Sequence, residues 1–396
     1  IKSLCEEIYA DAGITFLEPK GNRSSKRKVK EMLRVLLIDI YVKWLNNPSI
    51  SIGFSKNKNS YLVNSRYNRV HISEKIIKVE ELLESSGYIE ELRGYHNAYG
   101  TDRSYTTRIR HTEKLRIKFK KLSVDYYDID HNVNRELIQL SETFKDKDRK
   151  KKKALREYCD TDYTNSIREQ LARYNELLKI SLIDIPTQAE PFIRRQITSG
   201  DRKGQEQRIS IGPNNKHVHR VFNGKEVDNW TKGGRFFGGW WQQIPKEMRK
   251  SIYICDQPTV EVDYKALHPN LLLTNTTYDP YDVGKIILPE IINNKQKQRA
   301  IIKSLILMAI NADSATIAYA AFRRAQKVND PAKKMKNNQL QKLLDAFTDK
   351  YPEIKDALNT GQALKLMNID SVIANMVINY FTQKQVPVLC IHDSFI

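Results

Sequence analysis

Two short apolar runs each deliver an aspartate at their end. Val388-Leu389-Cys390-Ile391 leads to His392-Asp393-Ser394, and, far upstream, Val260-Glu261-Val262 leads to Asp263-Tyr264. Runs of this length and composition read as strands. If the two strands are neighbours, their tips bring two carboxylates together. Magnesium is held in this way, by a few carboxylates plus substrate phosphates. A pair of such ions clamps the attacking and leaving oxygens of an in-line displacement, which is the chemistry of nucleotidyl transfer.

Charge names the partner class. The chain has 396 residues, enough for two or three domains, and a formal net charge of +19. Such an excess of cations points to a polyanion. No apolar stretch of about 18 residues and no signal-peptide pattern is present, so nucleic acid fits better than a membrane. The four cysteines, Cys5, Cys159, Cys255 and Cys390, form no CxxC pair and no zinc spacing. Free thiols in a reducing cytoplasm are expected, in a bacterium or a phage-infected host cell. The chain opens on Ile1 and closes three residues past Asp393, so no strand returning from His392-Asp393 is expected, and the sequence reads as a fragment cut at both ends.

Residues 1–26 read as a basic arm. Val29, Met32, Leu33, Leu36 and Ile40 recur at helical spacing, and Asn46-Asn47-Pro48 stops that helix. A second helix runs from Ser73 to Ser86, closed by Gly87. Tyr88 to Leu92 and Tyr105 to Arg110 then form a hairpin with a long tip through Gly100, and a short helix from Thr112 to Lys121 follows. Helix, helix and basic hairpin over residues 27–122 outline a winged-helix-like module. Its wing carries Arg93, Arg103, Arg108 and Arg110. Either these touch a DNA backbone, or the module docks protein and its arginines are a solvated edge. Residues 123–215 read as a basic helical linker or thumb-like region. The run Arg149-Lys150-Lys151-Lys152-Lys153 within it is a solvated helix or linker, able to track phosphates. A helix is expected from Asn165 to Ile180.

Chemistry concentrates in residues 216–396. Gly233-Gly234-Arg235-Phe236-Phe237-Gly238-Gly239-Trp240-Trp241 combines glycines, which admit close backbone approach, with aromatic stacking faces. Asp263 follows at a strand tip, then a turn through Leu267-His268-Pro269 into a helix from Asn270 to Thr274. A helix opening near Gln298 puts Arg299 and Lys303 one turn apart on one face. Two such cations suit a triphosphate, although that spacing is also common in surface pairs. An amphipathic helix from Asp370 to Phe381 precedes the strand that ends at His392-Asp393.

The order of these pieces resembles the palm and fingers of the superfamily that joins family A DNA polymerases to phage-type RNA polymerases. The resemblance covers about Lys216 to Ile396. Val262-Asp263-Tyr264 resembles the first metal motif, Arg299 with Lys303 the fingers-helix motif, and Ile391-His392-Asp393-Ser394-Phe395 the second metal motif in its RNA-polymerase form. Gly234-Arg235 with Gln243-Ile244-Pro245 resembles the segment that precedes the first motif in family A. The implied fold is α+β, a right-hand polymerase palm with reduced helical fingers. The implied roles are two magnesium ions on Asp263 and Asp393, and a triphosphate on Arg299 and Lys303, with Lys303 as proton donor to pyrophosphate. Arg235, Gln243 and Arg249 would lie on template or primer, and His392 at the primer terminus. Asn311 stands where the family carries an aromatic against the incoming nucleotide. His268, five residues after Asp263, occupies a position that contacts the nucleotide sugar in polymerases.

A bulky His268 favours deoxynucleotides, while the His-Asp-Ser ending favours RNA synthesis. The expectation is a small DNA-dependent DNA polymerase using DNA template, primer and nucleoside triphosphates, alongside the replication proteins of a phage, plasmid or other mobile element. The alternatives are a single-subunit RNA polymerase or primase, and a non-catalytic DNA-binding replication initiator.

Overall fold

A computed structural model of the chain describes residues 1–17, 23–95, 105–125, 128–129, 135–145, 151–198, 203–224 and 230–396. The fold is mixed α+β with small sheets. It divides into two units, Ile1–Glu136 with Pro186–His217, and Leu137–Ile185 with Val218–Ile396. The expected boundaries shift accordingly, and residues 123–215 are shared between both units.

In the first unit, α1 (Lys2–Asp11) replaces the expected arm. Leu4, Cys5, Ile8 and Tyr9 lie one helical turn apart and are buried, so this segment is core. Helix α2 (Arg23–Asn46) buries the stripe Val29, Met32, Leu33, Leu36 and Ile40 as expected. Then come β1 (Ile52–Gly53), α3 (Lys75–Ser85), β2 (Ile89–Leu92), β3 (Arg108–His111) and α4 (Glu113–Lys120). The sheet order is β1-β3-β2, and the hairpin register sets Glu90 opposite Arg110. The hairpin tip, with Gly100 and Arg103, lies outside the described residues.

The second unit opens with β4 (Ile138–Lys145), β5 (Lys151–Arg156), α5 (Asp162–Ile180) and β6 (Ile183–Asp184). The lysine run is therefore a strand and not a helix or linker, because β4 supplies a pairing partner from Leu140↔Arg156 to Lys145↔Lys151. Arg149 and Lys150 lie outside the described residues. The chain returns to the first unit for a ribbon of β7 (Phe192–Gln196) and β8 (Glu206–Ser210).

Back in the second unit, β9 (His219–Asn223) pairs parallel with β4 and antiparallel with β10 (Gly233–Phe237), giving the sheet order β10-β9-β4-β5. A bulge at Gly233 and Gly234, both at positive φ, lets β10 turn toward the later helix over Ala363–Gln383. A Cβ on Gly234 would meet Phe222 and Ser371 at 2.7 Å. Arg220, fully buried in β9, seals this corner. Its guanidinium donates to Gly234 O at 2.7 Å and Ser371 Oγ at 3.1 Å, and packs on the Phe222 and Phe236 rings.

The remaining elements are α6 (Lys246–Arg249), β11 (Tyr253–Ile254), β12 (Gln257–Pro258), β13 (Val262–Asp263), α7 (Leu267–Asn270), α8 (Lys295–Asn311), α9 (Ala315–Ala325), α10 (Asn337–Lys350), α11 (Ala363–Gln383), β14 (Cys390–Ile391) and β15 (Ser394–Phe395). Helix α7 ends where a helix was expected to begin. The Asn270 side chain closes a loop by accepting from Thr277 N and donating to Thr277 O. Helices α8, α9 and α10 share one apolar core through Ile302, Ile306, Phe322, Leu343 and Phe347. Among the described residues, no helix is long and apolar enough to cross a membrane.

Candidate active site

The strand after His392-Asp393 does return. Ser394 and Phe395 form β15, which pairs with β14 on one side and β13 on the other. In this order β13-β15-β14, Asp263 stands opposite Ser394, and Tyr264 N donates to Asp393 O at 3.2 Å. His392 takes the left-handed φ of +58° that the tight turn demands. The turn is held from below: Trp241 Nε1 and Gln242 Nε2 both donate to Cys390 O, at 3.1 and 3.0 Å, and Tyr174 OH donates to Val388 O at 2.6 Å. Trp240 and Trp241 are fully buried, so the aromatic Gly-Arg block also serves as the floor of this hairpin.

Asp263 lies within reach of the Asp393 charge. The Asp263 carboxyl lies above its usual pKa, first through burial and then through the charge of Asp393. Glu261 acts in the same direction, while Lys246 and Lys303 oppose it. Glu261 ties the hairpin to α6: it accepts from Ser394 Oγ at 3.0 Å and pairs with Arg249 at 3.4 Å. Arg249, expected on nucleic acid, thus faces a carboxylate of its own chain. The strand residues preceding Asp263 are less buried than their composition implied, with Val260 76% and Val262 64% exposed.

A second cluster surrounds Asp370 on α11. Arg235 places Nε at 2.8 Å and a terminal nitrogen at 2.6 Å from Asp370 Oδ2. His268 Nε2 lies 3.4 Å from Arg235 and 3.9 Å from the same carboxylate oxygen. Burial pushes the Asp370 carboxyl up, but His268 and Arg235 outweigh it and hold the pKa below the ordinary value. The His392 ring stands 5.6 Å from Phe237, edge to face. Burial, followed by the Arg235 charge, holds its pKa below the usual imidazole value. Its Nδ1 is buried without a hydrogen bond among the described residues.

On α8, Arg299 and Lys303 share the exposed face as their spacing requires. Arg299 Nε sits 2.5 Å from Asp279 Oδ2. The Tyr281 ring lies 5.8 Å from the Arg299 guanidinium and 6.0 Å from Lys303 Nζ. Asn294 caps the helix, and Gln298 pins it by accepting from Ile287 N and donating to Lys285 O, both at 2.7 Å. Asn311 turns back on its own helix, donating to Leu307 O at 2.6 Å. Gln243 is exposed beyond the buried tryptophans.

In the first unit, Arg110 pairs with Glu90, and Arg93 lies 3.4 Å from Glu91. Arg108 is exposed on β3 and carries no acidic partner among the described residues. Elsewhere in this unit, Glu80, Glu84 and Glu91 are the one described group of three metal-ligating side chains with ligand atoms within 4.8 Å of one another. Lys56 bridges the two innermost, pairing with Glu80 and lying 2.6 Å from Glu91. An ammonium already answers that charge.

Asp370, Lys246, Glu261, Asp279 and Tyr281 were not read from sequence as site residues. No family model, curated protein or solved structure matches the chain.

Proposed function

We propose that this chain is a template-directed nucleotidyltransferase, a small DNA-dependent DNA polymerase that extends a 3′-hydroxyl. Its second unit would be a polymerase palm with reduced helical fingers. The observation that carries this reading is the β13-β15-β14 hairpin, where Asp263 and Asp393 lie close enough to raise the Asp263 pKa, within electrostatic reach of Lys303. The donor set fits magnesium: hard carboxylate oxygens whose repulsion a divalent cation relieves. Two ions on Asp263 and Asp393 would lower the pKa of the attacking hydroxyl and neutralise charge on the phosphates.

The chain's own residues do the rest. Arg299 and Lys303 hold the triphosphate, with Tyr281 packed beside both, and Lys303 supplies the proton to departing pyrophosphate. Preorganised cations of this kind stabilise charge that grows in the transition state. Arg235, locked by Asp370, and His392, whose pKa burial and Arg235 hold below the usual imidazole value, position the primer terminus. His268, packed against Arg235, stands where the nucleotide sugar enters and excludes a 2′-hydroxyl by bulk. In the first unit, the order α2-β1-α3-β2-β3, with β1 joining the closing hairpin as β1-β3-β2, supports a winged-helix-like DNA-binding reading, with exposed Arg108 as its phosphate contact.

The His392-Asp393-Ser394 sequence favours one second reading, an RNA polymerase or primase on the same palm. Primer extension on a DNA template with magnesium tests both, run separately with deoxynucleotides and ribonucleotides beside Asp393→Ala. Deoxynucleotide incorporation that vanishes in the variant supports the polymerase. Incorporation of ribonucleotides alone moves the reading to RNA synthesis. DNA binding with no incorporation of either leaves a replication initiator.

A further inference from the structure

We infer that the half-exposed face of the sheet β10-β9-β4-β5 is a track for a nucleic-acid duplex, and that Lys145, Lys151 and Lys153 at its far end grip the duplex backbone. The inference rests on the polymerase reading for where the duplex ends.

Strand alternation defines the face. Arg235, Val221 and Gln139 are register partners across β10, β9 and β4, so their side chains share one side. Two-residue steps along β4 carry that side through Ser141, which is buried beneath its neighbours, and out to exposed Thr143 and Lys145. Cross-strand pairing adds Lys153 opposite Thr143 and Lys151 opposite Lys145. The opposite side holds Arg220, Phe222, Phe236, Ile138 and Leu140, all buried. Near β9 and β10 the opposite side is therefore core, whereas toward the β4–β5 tip both sides are open, with Phe144 and Lys152 exposed on that opposite side; the track side carries Arg235 at one end and three lysines at the other.

The lysines are placed where a sheet gains nothing from them. Like charges directly opposite one another destabilise a strand pair, and Lys145↔Lys151 is such a pair. Neither they nor Lys153 has an acidic partner among the described residues, and all three are exposed. By contrast Arg156, on the other side of the hairpin, pairs with Glu142. A polyanion is the partner that turns this unfavourable juxtaposition into a favourable one.

The spacing sets where on the duplex contact falls. Six residues separate Gln139 from Lys145, a run of roughly 20 Å along β4, displaced by about 10 Å from β10. The direction leads away from Phe237, which touches His392. At 3.4 Å per base pair, the lysines meet the backbone about six base pairs behind the terminus held by Arg235.

The test is equilibrium binding of the full chain to primer–template DNA with either a 4- or a 12-base-pair duplex, titrated over salt, for wild type and K145A/K151A/K153A. Each lost phosphate contact lowers the slope of log K against log salt by about 0.9. The expected result is a slope reduced by about 2–3 on the long duplex and unchanged on the short one. Lys151→Gln alone reduces it by about one unit and guards against misfolding of the triple variant. An unchanged slope on the long duplex, or equal losses on both lengths, overturns the inference. Length-dependent loss without nucleotide incorporation by wild type keeps the track and removes the polymerase. Incorporation without length-dependent loss does the reverse.

Discussion

Arg235 and Asp370 form a buried pair in which two guanidinium nitrogens converge on a single carboxylate oxygen, at 2.6 and 2.8 Å. Asp370 is 2% exposed, and His268 lies 3.9 Å from the same oxygen. One carboxylate on α11 thus fixes two residues that reach it from β10 and α7.

Asp370→Asn removes the charge and keeps the shape. Loss of a charge-assisted hydrogen bond at a buried site costs about 1.5–3 kcal/mol. The carboxyl pKa is lowered in the fold, so its stabilisation is present above the ordinary aspartate value of about 3.9 and is lost as pH falls through the folded value. Urea unfolding between pH 3 and 7 should therefore show a gap between wild type and variant at neutral pH that closes toward acid. A gap independent of pH would show that the pair contributes no charge interaction.

Asp263→Asn should have the opposite sign. Burial and Asp393 raise the Asp263 pKa, so its contribution is present below the unfolded value and is lost as pH rises through the folded one. At pH 7 the variant is expected to melt above wild type, with the difference shrinking toward pH 4. Magnesium should reverse the order, because a ligand bound by the folded state alone adds stability, about 2.7 kcal/mol at a hundred times its dissociation constant. Thermal melting with and without magnesium checks both halves. A wild type indifferent to magnesium would remove the metal site.

Much of this was legible because it was local. The apolar stripe of α8 fixes its buried face, and the same periodicity leaves Arg299 and Lys303 outward. That the segments ending in Asp263 and Asp393 are neighbouring strands was legible because each closes a short apolar run. What escaped depends on distant partners. Lys151 to Lys153 are poor strand formers, and β5 exists because β4 pairs with it. Asp370 looks like any polar residue opening an amphipathic helix until the fold brings Arg235 to it. The buried spacing of Leu4, Ile8 and Tyr9 was present in residues 1–26, but the basic residues nearby obscured it.

Lys56 is the counter-ion of an acidic cluster, and Lys56→Met should expose its role. Glu80 is fully buried, and burial pushes its pKa up to about 7 even though Lys56 draws it down. Removing one member of a fully buried pair costs about 3–5 kcal/mol, and solvent screening of the part-exposed Lys56 puts the loss below that. With Lys56 gone, Glu80 rises further, so the folded state prefers the protonated acid and the loss grows from pH 5 to pH 8. Denaturant midpoints at those two pH values measure it. Equal losses at both would mean that Glu80 does not titrate with folding.

His268→Gly tests sugar selection. The imidazole lies 3.4 Å from Arg235 and 3.9 Å from Asp370, so on the polymerase reading it would be a fixed obstacle to an incoming sugar. Excluding an added hydroxyl by bulk is worth about 1–3 kcal/mol, or roughly 10- to 200-fold in selectivity. Glycine at this position removes the bulk and leaves Arg235 paired with Asp370, so deoxynucleotide incorporation should survive while ribonucleotide incorporation rises by a factor in that range. Single-nucleotide extension with paired deoxy- and ribonucleotides at matched concentrations reads the ratio. An unchanged ratio with retained extension would show that the sugar is selected elsewhere. Extension with ribonucleotides already favoured in wild type would point instead to RNA synthesis.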